Sequence, residues 1–136
     1  MEQIHYRDGY KYQLSEDYTI EVSIKPAQFI FTEYIRLDMD GSLFIKEGYA
    51  WDGPSGPTID TKDSMRGSLV HDALYQLMRE GKLDSGSHRK AADRELWRIC
   101  VEDGMLKIRA DAWYAAVRLV ASGAAKGGDK PIITAP

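Results

Sequence analysis

The sequence predicts an α+β fold, an N-terminal antiparallel β-meander followed by a helical hairpin and a third helix. Three observations carry that prediction. Residues 10–50 alternate apolar and polar side chains with a period of two. Residues 51–62 crowd glycine and proline. From about Asp63 the apolar residues recur with a helical period that Gly81, Gly104 and Gly123 interrupt.

The strands come first. Tyr10, Tyr12 and Leu14 form one alternating set, Tyr18, Ile20, Val22 and Ile24 a second, Phe29 and Phe31 a third, and Leu43 and Ile45 a fourth, which predicts about four antiparallel strands. Pro26 separates the second set from the third, and Asp40-Gly41 reads as a hairpin turn because both residues tolerate positive φ. Asp38-Met39-Asp40-Gly41 also begins like a calcium loop. The later ligands are missing at the required offsets, so the hairpin reading is preferred. The segment Trp51-Asp52-Gly53-Pro54-Ser55-Gly56-Pro57-Thr58-Ile59-Asp60-Thr61-Lys62 packs two glycines and two prolines into five positions, which no helix or central strand accepts; it is a loop.

Three helices follow. The first is expected from about Asp63 to Glu80 with Gly81 as its stop, and the second from about Ser87, as N-cap, to Asp103 with Gly104. The third is expected from about Arg109 to Ser122 with Gly123, its alanine-rich face around Trp113, Ala116 and Val117 suited to close packing. Residues 1–123 then form a single α+β domain and 124–136 a flexible tail, in which Ile132 and Ile133 could dock on a neighbour.

Composition narrows the function classes. The chain has 136 residues, 43% of them apolar and 10% aromatic, enough to fill a core without staples. One cysteine, Cys100, excludes an internal disulfide frame, and the apolar run Ala112 to Val117 is closed by Arg118 far short of the ~20 residues of a membrane span. Met1 to Asp8 lacks the basic start and apolar stretch of a signal peptide, so synthesis and folding in a cytoplasm are expected. With 18 basic against 21 acidic residues interleaved along the chain, no basic stripe exists to track phosphates, and nucleic acid is not an expected partner.

Chemistry concentrates on the first two helices. His71 and Tyr75 stand at i,i+4 and share a face, while Asp72 lies about 100° around the same turn. On the second helix Asp93 recurs with Leu96, Trp97 and Cys100, the positions that should face inward. An unpaired buried carboxylate costs several kcal/mol, so Asp93 needs a partner. Helices joined by a short loop pack antiparallel, which sets Asp93 opposite His71. Asp93 would accept from one ring nitrogen, fix the tautomer, and leave the other nitrogen free as a general base. The plain alternative is a structural histidine that pins two helices. Arg66 is expected on a solvated face or in an ion pair, with no role in chemistry.

Other chemistries fare worse. For zinc, His71, Asp72, His88 and Asp93 supply suitable donors, but His88 opens the second helix while His71 sits mid-helix in the first, and no short His-x-x-x-His pair exists. Cys100 falls four residues after Leu96 on an apolar face and reads as a core residue. Ser55, in Gly53-Pro54-Ser55-Gly56-Pro57, lacks the strand-to-helix turn of a serine nucleophile.

These residues resemble two known patterns. From Gly48 to Asp93, a Trp-Asp-Gly-x-Ser loop, a His-Asp-x-x-Tyr helix and a later Ala-Asp helix resemble family 1353 of the domains of unknown function, small proteins found largely in phages and prophages. That resemblance implies a viral or prophage origin. The same stretch is similar to the catalytic core of the phospholipase A-two enzymes, especially the disulfide-free domain of parvoviral capsids. There a Tyr-x-Gly-Pro-x-Asn calcium loop precedes His-Asp-x-x-Tyr, and an Ala-Asp pair follows 22 residues after the histidine, the separation of His71 and Asp93 here. The match covers about a third of the chain, and Asp52 and Ser55 depart from the loop pattern.

The second resemblance implies that His71 activates water, that Asp93 and Tyr75 orient it, and that Asp72 ligates calcium with main-chain oxygens of Trp51, Gly53 and Ser55. A hard cation of this kind prefers oxygen ligands and polarises an ester carbonyl. The expected function is therefore a phage or prophage accessory protein, associated with the virion or expressed late, that carries a calcium-dependent phospholipase-like or other ester or amide hydrolase site. Its expected partners are other virion proteins or host envelope lipid. The rival is a non-catalytic structural or docking module of a phage particle.

Overall fold

The computed structural model describes residues 6–7, 12–51 and 62–120. Antiparallel strands occupy the N-terminal part and three helices follow, an α+β arrangement. The chain divides into two compact units, Met1–Asp52 and Gly53–Pro136.

Among its described residues the first unit holds seven short strands, β1 (Tyr6–Arg7), β2 (Tyr12–Leu14), β3 (Tyr18–Glu21), β4 (Ile30–Phe31), β5 (Ile35–Leu37), β6 (Ser42–Ile45) and β7 (Ala50–Trp51). One sheet runs β1-β2-β7 and the other β3-β6-β5-β4. Strands β4 to β6 pair consecutively as a meander, while β3 joins the far edge of β6. Register explains the core. Tyr18 and Ile35 both oppose Ile45, and Ile20 and Leu37 both oppose Leu43, so one face of the sheet is aliphatic. Ile35, Leu37, Leu43 and Ile45 are fully buried. On the other face Arg36 opposes Phe44, its guanidinium 4.9 Å from the ring centroid.

The β5–β6 turn is the expected hairpin. Gly41 has φ +93°, and a Cβ there would lie 2.5 Å from the Val22 carbonyl oxygen, so only glycine fits. Asp38 and Asp40 spend their carboxylates inside the turn, accepting from the amides of Met39 and Ser42. The third alternating set shares the outward face. Ile30 pairs with Leu37 and takes the inward face, so Phe29 and Phe31 point out and stack on each other at 5.7 Å. On a two-residue edge strand the partner's register sets the face, and a slip of one residue inverts it.

The second unit contains α1 (Lys62–Arg79), α2 (Ser85–Glu102) and α3 (Lys107–Val120). The first two end as their glycines predict. Gly81 and Gly104 take positive φ, and the amides of Lys82 and Met105 reach back to the carbonyls of Leu77 and Cys100. The start of α2 differs from expectation: Asp84, not Ser87, is the N-cap, its carboxylate accepting from the Ser87 amide at 2.8 Å. The end expected for α3, the 124–136 tail and the 52–61 loop lie outside the described residues.

Helix α1 packs on α2, and α2 on α3. The helices α1 and α2 lie close at Gly67, where a Cβ would meet the Cys100 Sγ at 2.8 Å. Leu96, Cys100, Met105, Ala110 and Trp113 form the core between α2 and α3. Arg66, only 5% exposed, is an ion-pair partner of Glu102 and Asp103 at the end of α2. Among the described residues no helix is long and apolar enough to cross a membrane.

Candidate functional site

Within the helical unit, α1, α2 and α3 converge on the Asp93 carboxylate, which is completely buried. The i,i+4 spacing on α1 stacks the His71 and Tyr75 rings at 4.2 Å between centroids and turns both toward α2. His71 Nε2 lies 2.7 Å from Asp93 Oδ1, and the Tyr75 hydroxyl donates to the same oxygen at 2.6 Å. The other oxygen, Oδ2, accepts from Arg118 Nη1 of α3 at 2.7 Å. Arg89 Nη1, one turn before Asp93 on α2, stands 3.7 Å from Oδ2, within ion-pair distance but beyond a hydrogen bond.

The carboxylate is ionised. Burial alone would raise its pKa, but the hydrogen bonds from His71 and Tyr75, with the further help of Arg118, outweigh burial and hold it below the ordinary 3.8. Desolvation of a paired carboxylate costs several kcal/mol. Three hydrogen bonds to a charged group, at roughly 1.5–3 kcal/mol each, are of the size needed to offset it. Tyr75 responds in the opposite sense, its pKa raised by burial and by Asp93, so it stays a protonated donor.

That charge state fixes the direction of the hydrogen bond. An ionised carboxylate can only accept, so Nε2 carries a proton and donates to Oδ1. In the neutral imidazole Nδ1 is then the lone-pair nitrogen, the one able to take a proton. His71 as a whole is 7% exposed.

The structure thus brings together His71, Tyr75 and Asp93. The residues that the resemblance assigns to calcium are differently situated. Asp72 is half-buried on α1, next in sequence to His71. Trp51 closes β7 in the other unit, 3% exposed, its ring 5.7 Å from Tyr12. Gly53 and Ser55 lie outside the described residues. A carboxylate with main-chain oxygens is a donor set suited to calcium. Among the described residues no group of three or more His, Cys, Asp or Glu side chains could hold a metal. Cys100 is buried in the core, and burial, with Asp103 and Asp63 nearby, pushes its thiol up to about 12, far from a thiolate nucleophile.

Sequence reasoning missed both arginines. Arg89 left a signal, an Arg-x-x-x-Asp pair at i,i+4 with Asp93. Arg118 left a fainter one, as the charge that closes the apolar run of α3. Comparison with protein-family models, with curated proteins and with solved structures gave no match for this chain.

Proposed function

We propose that the protein is a hydrolase of ester or amide bonds, phospholipase-like in its chemistry, with His71 as general base and Asp93 and Tyr75 as the residues that orient it. One observation carries the reading: His71 Nε2 lies 2.7 Å from Oδ1 of the buried Asp93, so in the neutral ring Nε2–H is spent on Asp93 and Nδ1 carries the lone pair. In the reaction Nδ1 takes a proton from water as the water oxygen attacks the carbonyl carbon, and the same proton then passes to the leaving group. General-base assistance of this kind contributes typically ~100 to 10,000-fold in rate. Tyr75 adds no proton transfer, since its hydroxyl is committed to Asp93. Calcium is the cation the motif resemblance implies, with Asp72 among its ligands; bound there it would polarise the carbonyl and balance the charge that develops on its oxygen. The phage or prophage setting, with virion proteins or host envelope lipid as partners, rests on the motif resemblance of residues 48–93.

Wild type and His71→Gln are assayed side by side on phospholipid vesicles and short-chain esters, with calcium or with chelator, and the released acid is measured. The expected result is cleavage by the wild type and a fall of ~100 to 10,000-fold in the variant. Calcium should also raise the Tm of the wild type by mass action. Cleavage by neither protein, or equal cleavage by both, overturns the hydrolase reading.

A second reading has its own observation. Asp93 is fully buried and bridges all three helices, which is what a structural pin requires. As a non-catalytic module, the protein would respond to His71→Gln with a stability loss of roughly 1–3 kcal/mol and no other effect.

A further inference from the structure

We propose that Arg118 is a positioning residue for His71, acting through Asp93; the inference rests on the reading of His71 as a general base. Oδ1 receives both donors of α1, His71 and Tyr75, while Oδ2 receives Arg118 from α3. Two donors on Oδ1 restrain rotation about the Cβ–Cγ bond through one arm of the carboxylate only. A third donor on the opposite oxygen, from a different helix, restrains the other arm and helps keep Oδ1 aimed at Nε2. The direction of the Nε2–H bond, and with it the orientation of the imidazole ring, is thus set in part by Arg118, which donates to Asp93.

Arg89 provides the internal control. Both arginines bring a positive charge to Oδ2, at 2.7 Å for Arg118 and 3.7 Å for Arg89, so their Coulombic effects are comparable. Only Arg118 donates a hydrogen bond, and hydrogen bonds are directional where charge is not. Arg89 Nη1 is buried with no hydrogen-bond partner among the described residues. The Arg118 side chain is 29% exposed, so its replacement need not open the core.

The test reads the histidine ring directly, by nitrogen-15 NMR of protein labelled at histidine, in mildly alkaline buffer. Two-bond proton–nitrogen correlations give the tautomer of His71, and the Nε2 proton gives its hydrogen bond. Wild type should show a single Nε2–H tautomer with a downfield, slowly exchanging proton. Arg118→Met should lose that proton signal and mix the tautomers, Arg118→Lys should recover it, and Arg89→Met should leave it as in wild type. An unchanged tautomer and proton shift in Arg118→Met overturns the proposal, as does an equal loss in Arg89→Met, which would make charge alone responsible. Should Arg118→Met fail to fold, Arg118→Leu takes its place with the same expectation. None of these readouts needs turnover, so failure of the ester assay and failure of the positioning role are separate results. On a substrate found by that assay, Arg118→Met should lower kcat by roughly 100-fold with little change in KM, the size of effect a misplaced reacting group produces.

Discussion

Replacing Asp93 by asparagine changes one atom and removes the charge on which the three helices meet. The amide keeps a single acceptor oxygen. If that oxygen faces His71 and Tyr75, the amide nitrogen points its hydrogens at Arg118; if it faces Arg118, they point at His71 and Tyr75. Either orientation breaks at least one hydrogen bond and leaves two guanidinium groups, Arg118 and Arg89, without their counter-charge. Breaking a buried ion pair from one side costs about 3–5 kcal/mol, and Asp93→Asn should lose that much in urea unfolding followed by far-ultraviolet circular dichroism, a signal dominated by the three helices. The pH dependence sharpens the test. The folded pKa of Asp93 is below its ordinary 3.8, so on acidification the unfolded chain takes up the proton first. Its stabilisation is therefore complete above that range and is lost as pH falls through 3.8 toward the folded value. The gap between wild type and Asp93→Asn should close as pH falls through 3.8. The subtraction isolates Asp93, because the other carboxylates with lowered pKa, Asp40, Asp84 and Glu102, are present in both proteins. A loss under about 1 kcal/mol, or a gap that widens in acid, would refute the account of Asp93 as an ionised hub.

Two further outcomes follow from packing and capping. Gly67→Ala drives a methyl group into the Cys100 sulfur and should cost about 1–3 kcal/mol in the same unfolding assay, with most of the loss recovered in the double variant Gly67→Ala, Cys100→Ala. Asp84→Ala removes the cap of α2 and should cost ~1 kcal/mol, whereas Ser87→Ala, which leaves the capping carboxylate and the bonded amide in place, should cost far less.

What the sequence made legible follows the range of the interactions concerned. Helix ends at Gly81 and Gly104 were readable because a C-terminal glycine acts within a few residues, and the pairing of His71, Tyr75 and Asp93 because an i,i+4 face and an inward carboxylate on the next helix need only a short connection to meet. Which face Phe29 and Phe31 take was not legible, because it is chosen by the pairing of Ile30 with Leu37 and not by their own alternation. Ser87 was mistaken for the cap because both it and Asp84 are good capping residues, and the choice lies in whether Ser85 and Gly86 are already helical. Arg118 was invisible as part of the site because its role depends on where α3 crosses α2, and no local pattern in α3 encodes that crossing.

The nesting of the two sheets in the first unit has a consequence for biosynthesis. Strand β2 pairs with β7, through Tyr12 opposite Trp51 and Gln13 opposite Ala50, and every strand of the second sheet lies between those two in sequence. A chain emerging from the ribosome can form the β4–β5–β6 meander from neighbours in sequence, and β3 can join once β6 is out. Strand β2 pairs early with β1, but its second edge must wait longest, because the partner that flanks it there is β7. Closure of the first unit is therefore timed by translation of residue 51, and until then β2 presents an open edge to whatever else is in the cell.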